Sequence, residues 1–287
     1  MLVGHHNCQS MLHQLDTAGR LPHALLLYGP QGIGKRTMAD VAARYILCGG
    51  TYTPENGLTP DADNPLIPQI EAGACADLLV LTPEPGKKIA VEDARQLLGQ
   101  LKLKPMGRRV IIIDAADDLG PEAANTLLKC VEEPAPRTHF LIIAHNLFRV
   151  LPTILSRCRQ MRLQPLSQTE TETVLTQQGV ANASDLAMLA PGMPGQGLYL
   201  GEEALELQAK LHAGGHPVAL ADEIQQKKQI PLALDLLKRQ VAAQCRQQPT
   251  YAHSQLYATL ADLQQRMLSH NMSGNWIMET ALRKLNV

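Results

Sequence analysis

One stretch constrains this chain more than any other: Leu25-Leu26-Leu27-Tyr28-Gly29-Pro30-Gln31-Gly32-Ile33-Gly34-Lys35-Arg36-Thr37. An apolar run feeds a glycine-rich turn, and a lysine opens a predicted helix. That is the strand–turn–helix layout of a phosphate-binding P-loop, G-x-x-x-x-G-K-[ST]. Glycines let backbone N–H groups curl around an anion at a helix N-terminus, and Lys35 adds a point charge. One position departs from the pattern. Arg36 stands where a Ser or Thr hydroxyl would ligate Mg²⁺. Thr37 cannot replace it, because one residue turns a helix by about 100°. Arg36 is read either as a blocked metal position or as a side chain directed into solvent, which leaves anion binding open.

With 287 residues the chain has room for two or three domains. A hydrophobic fraction of 45% and a charged fraction of 18% describe a soluble globular protein. The net charge of -1 supplies no overall field for nucleic acid or anionic membrane. Aromatic residues at 3% argue against a base-stacking platform for single strands. The start, Met1-Leu2-Val3-Gly4-His5-His6, lacks the basic head and apolar run of a signal peptide. No segment reaches the ~20 apolar residues of a membrane helix. A cytoplasmic protein with no membrane partner is expected. The six cysteines form no disulfide framework and are expected as thiols.

Taken in order, residues 4–18 predict a helix, Ala24 to Tyr28 a strand, and Lys35 to Leu47 a helix carrying Met38, Val41, Ala42 and Tyr45 at helical spacing. Residues 49–74, rich in Gly, Pro and Asp, predict an irregular insertion. Strands follow at 77–81, Arg109–Asp114, His139–Ala144 and, shorter, Met161–Leu163. Helices are expected over 91–103 and over 121–132, where Pro121 can open the helix and Pro134 lies past its end. Strands separated by helices imply a parallel sheet covered on both faces. After Pro165 only helical patterns remain, at 168–178, 184–190 and 195–212. Then come stripes Ile230/Leu234/Leu237/Val241/Cys245, Leu256/Leu260/Leu263/Met267 and Ile277/Ala281/Leu282/Leu285. These stripes are either a core or an assembly face.

Val110-Ile111-Ile112-Ile113-Asp114-Ala115 carries the second chemical signal. An acid ending a buried strand beside a P-loop is the metal-side carboxylate of ATPases. ATPases of the remodelling type follow it with a Glu that polarises water, and the methyl of Ala115 cannot act as a base. Asp117 and Asp118 are expected to cap the next helix. Lys102, Lys104, Arg108 and Arg109 form the one basic cluster. It is either a solvated loop or a salt-sensitive contact with a DNA backbone or a partner subunit. His5, His6 and Cys8 could form a weak metal patch, but surface histidines are the better reading.

Leu127-Leu128-Lys129-Cys130-Val131-Glu132-Glu133-Pro134 and Leu151-Pro152-Thr153-Ile154-Leu155-Ser156-Arg157-Cys158 supply the third signal, beside Leu21-Pro22-His23-Ala24-Leu25-Leu26 and the Gly-Ile-Gly-Lys loop. On these residues the chain resembles the clamp-loader AAA+ family, most closely subunits of the delta-prime type of DNA polymerase III. The likeness spans the whole chain and is most specific in the first 165 residues.

The resemblance implies an α/β AAA+ P-loop domain with a five-stranded parallel sheet (1–165), a small helical lid (166–213) and an all-α collar for oligomerisation (214–287). In that family the Ser-Arg-Cys arginine acts in trans on ATP bound by a neighbour, and Arg157 matches it; the alternative for Arg157 is a structural ion pair. Cys158 is expected to be a packing residue. A second-domain arginine that touches phosphates in the family is replaced here by Gln196, in Gly192-Met193-Pro194-Gly195-Gln196-Gly197. Gly29, Gly32, Gly34, Lys35 and Asp114 would thus form a degenerate nucleotide site, with Arg36, Ala115 and Gln196 as its departures. ATP could bind without hydrolysis. Many relatives hold zinc in the insertion with four cysteines, whereas only Cys48 and Cys75 flank it here, so no zinc is expected. The implied role is a non-hydrolysing stator that helps load a sliding clamp on primed DNA, with gamma/tau and delta subunits as partners and clamp and DNA met through the assembly. The competing readings are a working ATPase subunit and a P-loop kinase or nucleotide-transfer enzyme, for which no acceptor constellation is found.

Overall fold

The structure is a computed structural model that describes residues 2–84, 87–214, 216–269 and 273–285. The chain divides into two units, residues 1–178 with 191–196, and residues 179–190 with 197–287.

The first unit opens with α1 (His6–Thr17), β1 (Ala24–Tyr28) and α2 (Lys35–Cys48). A hairpin of β2 (Gly50–Thr53) and β3 (Gly57–Pro60) follows, then α3 (Leu66–Glu71), β4 (Leu78–Leu81), α4 (Val91–Leu101) and β5 (Arg109–Asp114). Next come α5 (Pro121–Glu132), β6 (Thr138–Ala144), α6 (Pro152–Leu155), β7 (Arg159–Arg162) and α7 (Gln168–Gln177). Local chemistry fixes several ends. Pro121 fills the first position of α5, where its missing N–H costs nothing. Ser167 and Glu170 form a reciprocal capping box on α7, with bonds of 3.2 and 2.7 Å.

Residues 49–74 are not irregular. The expectation failed because β2 is short and half exposed, but Asn56-Gly57 carried the turn signal, and Gly57 takes φ 69°.

The five-stranded sheet has the order β4-β5-β6-β1-β7, with every pair parallel. The two-residue period of a strand divides its apolar runs between two cores. Leu25, Leu27, Val110, Ile112, Leu141 and Ile143 pack with α1 and α2. Leu26, Ile111, Ile113, Phe140 and Ile142 pack with α4, α5 and α6 on the other face. Both faces are covered, which is why the strands read as unbroken apolar runs. β1 and β6 are neighbours whose following connections run to opposite edges of the sheet, from β1 to β4 and from β6 to β7, so the carboxyl ends of these strands border the crevice where ligands bind in open α/β sheets.

The second unit is helical: α8 (Ala183–Leu189), most of α9 (Pro194–Ala213), α10 (Pro217–Gln226), α11 (Ile230–Gln247), α12 (Tyr251–Ser269) and α13 (Gly274–Leu285). Gly201 breaks α9 with φ 62°. α10 packs on α13, and α11 on α12. Ile230, Leu234, Leu237, Val241, Leu260, Leu263, Ile277, Ala281 and Leu282 are buried in this unit's core, while Cys245, Leu256, Met267 and Leu285 of the same stripes are half-buried. Among the described residues, no helix is long and apolar enough to cross a membrane.

Candidate functional site: a P-loop pocket and an exposed arginine

The loop from Gly29 to Gly34 joins β1 to α2 at the crevice. Two of its glycines are required by close approach. A Cβ on Gly29 would lie 2.6 Å from the Leu163 carbonyl oxygen, and one on Gly32 would lie 2.8 Å from the Gln196 backbone nitrogen. Gly32 also takes φ 86°, a region that side chains rarely adopt. The amides of Gly32, Ile33 and Gly34 donate to no backbone acceptor among the described residues.

Lys35 is 3% exposed, and its ammonium donates to the carbonyls of Gly29 at 2.8 Å and Pro30 at 2.6 Å. Burial lowers its pKa to about 8, against the opposing pull of Asp117 and Asp114. Asp114 ends β5 at the same crevice.

Arg36 is ion-paired rather than free in solvent, although its side chain is 40% exposed. Its Nη1 donates to Asp114 Oδ2 at 3.3 Å, and its Nε donates to the Asp40 carboxylate at 3.0 and 3.2 Å. One turn of helix places Asp40 beneath it, and the sheet brings in Asp114 from 78 residues away. Thr37 is exposed on α2, away from this pair. A magnesium ion beside the phosphates is what such a fold implies, and these residues do not fit one. The hydroxyl ligand is missing, and the carboxylate is already engaged by a guanidinium.

Gln196 stands against the loop, with Nε2 donating to the Gln31 carbonyl at 3.2 Å, and the Gly195 amide donates to the Gly32 carbonyl at 2.8 Å. Gln196 thus braces loop backbone and brings no charge to a phosphate. Ala115 is buried and offers only its methyl.

Three residues of the site escaped the sequence reading. Asp117 is no helix cap: Gly120 holds that position, while Asp117 Oδ1 accepts the His145 amide at 3.0 Å and ties the end of β6 to the end of β5. The Nδ1 of His145 is buried without a hydrogen-bond partner among the described residues, and burial, then the Lys35 charge, pushes its pKa down. His5 is no free surface histidine, since its Nε2 meets the Ile33 carbonyl at 2.7 Å and burial lowers its pKa. Cys8 is buried, its thiol donating to the Arg162 carbonyl at 3.4 Å. Only the position of Asp117, just past a strand that ends in an acid, hinted at any of this.

Arg157 follows α6 on the surface. Its Nε lies 2.7 Å from Glu132 Oε1, with both side chains 38% exposed, and its Nη1 donates to the Thr153 carbonyl at 3.0 Å. An ion pair is therefore present, though at a solvent-facing site where such a pair is worth about 0.2–1 kcal/mol. Cys158 packs against the α4–α6 core, and burial raises its thiol to about 11, which leaves little thiolate at neutral pH.

The basic cluster divides. Arg109 is buried, with Nη2 at 3.1 Å from Asp77 Oδ1, and Arg108 donates to Asp16 Oδ1 at 2.6 Å. Arg109 is thus an interior residue, whereas Arg108 is ion-paired with its side chain 40% exposed. Lys102 and Lys104 are exposed.

A family model described as "DNA polymerase III, delta subunit" matches residues 4–167. The delta-prime subunit of Pseudomonas aeruginosa DNA polymerase III is 33% identical over 245 residues, covering 82% of this chain and 67% of that protein. The Bacillus subtilis delta-prime subunit is 32% identical over 173 residues, 60% of this chain and 51% of that protein. A Buchnera aphidicola gamma subunit is 31% identical over 171 residues, 58% of this chain and 45% of that protein. The chain thus aligns with about half to two thirds of the length of these relatives. A DNA polymerase III gamma subunit-related protein from Thermotoga maritima shares the fold, with TM-score 0.55 and 15% identity over 95% of this chain and 97% of that one. The Gly29–Lys35 loop, the sheet order and these matches agree: the chain belongs to the delta-prime/gamma clamp-loader family of DNA polymerase III.

Proposed function

We propose that this chain is a delta-prime-type stator of the clamp loader, which hydrolyses no ATP itself and presents Arg157 to ATP held by a neighbouring gamma/tau subunit. The observation that carries the reading is a contrast between two positions. In the chain's own pocket Asp114 is engaged by Arg36, Ala115 offers no base, and Gln196 brings no positive charge. Arg157, by contrast, sits on the surface behind a weak ion pair. A guanidinium so placed can exchange one carboxylate for phosphate oxygens, where it would offset charge developing in transfer. The gamma/tau and delta subunits are the proposed partners, with clamp and primed DNA met through the assembly. Residues 214–287 would serve as the collar.

The isolated full chain tests the first half. It should show no magnesium-dependent ATP turnover above a buffer blank. Turnover that disappears in Lys35→Ala would establish the chain as an ATPase in its own right and overturn the stator reading.

A further inference from the structure

The pocket's mismatch with magnesium leads further. We propose that Arg36 takes the place of the divalent cation, so that the loop binds the di- or triphosphate of a nucleotide without metal. Cation and guanidinium compete for one position: Asp114, the carboxylate that would carry the metal, is bonded to Arg36 Nη1 at 3.3 Å. Arg36 is fixed there from its other side by Asp40, at 3.0 Å. A divalent cation beside Asp114 would therefore sit against a like charge and would find no hydroxyl ligand.

What remains is built for an anion. Among the described residues the amides of Gly32, Ile33 and Gly34 have no backbone acceptor, and they lie beside the N-terminal turn of α2. Lys35 spends two bonds on loop carbonyls, and an ammonium has three donors. Arg36 spends Nε and Nη1 on carboxylates, and a guanidinium has five. His145, just past the end of β6, has a buried Nδ1 with no hydrogen-bond partner among the described residues and lies within electrostatic reach of Lys35 and Asp114. Lys35 and Arg36 thus place two cationic side chains at the loop, with Arg36 in the position of the metal and paired to Asp40 and Asp114. This inference concerns the chain's own loop and does not depend on the trans role of Arg157.

The experiment is calorimetric titration of the isolated full chain with ATP and with ADP, in excess EDTA and in excess magnesium. The wild-type dissociation constants should agree within about threefold between the two buffers. Arg36→Ser, which frees Asp114 and supplies a hydroxyl, should bind at least about tenfold more tightly with magnesium than without. Arg36→Met, which removes the guanidinium without supplying a hydroxyl, should weaken binding at least about tenfold in EDTA, and this variant keeps the test decisive if Arg36→Ser does not fold. Wild-type binding at least about tenfold tighter in magnesium, binding by Arg36→Met in EDTA as tight as that of the wild type, or no wild-type binding of either nucleotide at millimolar concentration would each overturn the proposal.

Discussion

Replacing Asp77 by Ala would leave the Arg109 guanidinium inside the first unit without its counter-ion. Asp77 and Arg109 are 6% and 2% exposed. The carboxylate accepts from Arg109 Nε at 3.2 Å and Nη2 at 3.1 Å, and its second oxygen accepts the Met106 amide at 3.0 Å. Removing one member of a buried pair costs about 3–5 kcal/mol, because the remaining charge stays desolvated. Arg109 would keep its bonds to the Leu101 and Leu103 carbonyls, at 3.4 and 2.8 Å, so the lower end applies. A loss of about 3 kcal/mol corresponds to a fall of roughly 6–12 °C in Tm for a unit of this size. Urea unfolding followed by circular dichroism, with a thermal scan beside it, measures both. Asp77→Leu with Arg109→Met should cost less than the sum of the single changes, because it removes the unpaired charge along with the pair. An Asp77→Ala variant within about 1 kcal/mol of the parent would show that the arginine finds water, and would refute the assignment of Arg109 to the interior.

Two further expectations concern the site. The folded chain holds the Lys35 proton with a pKa of about 8, while an unfolded lysine titrates near 10.4. Between those values the unfolded chain binds more protons, so wild-type stability should rise with pH across that window relative to Lys35→Met and run parallel to it below about 8; parallel urea-stability profiles throughout would contradict the burial of that charge. At the surface, Glu132→Gln removes a half-exposed pair worth about 0.2–1 kcal/mol, so it should raise the ATPase of a reconstituted loader by no more than about fivefold. A collapse of ATPase in Glu132→Gln would mean that Glu132 is needed to place Arg157.

How much of this was legible in the sequence follows from the range of the forces involved. The strands at Ala24–Tyr28 and Arg109–Asp114 stood out because both sheet faces bury them, which leaves uninterrupted apolar runs. Helix ends at Pro121 and Ser167 follow from contacts within three or four residues. The P-loop was legible for the same reason, since its glycines, lysine and flanking elements are contiguous. The partners of the charged residues were not. Arg36 meets Asp114, Arg157 meets Glu132 and Arg109 meets Asp77 only after the sheet has brought distant segments together. No periodicity encodes those meetings, so Arg109 read as part of a surface cluster and Arg36 as a side chain free to face solvent. The hairpin at Gly50–Pro60 is an intermediate case, with a local Asn56-Gly57 signal set against strands too short to show alternation.

The central claim is that the chemistry this chain serves lies at Arg157 and not at its own loop. A clamp loader reconstituted with this chain, assayed for ATP hydrolysis in the presence of clamp and primed DNA, tests it most directly. Arg157→Ala should depress the rate strongly, by at least about tenfold at the site it serves, as loss of a transition-state arginine does. Lys35→Ala should leave that rate within about twofold of wild type, since its pocket takes no part in turnover. Equal losses from the two substitutions, or an intact rate in Arg157→Ala, would contradict the account.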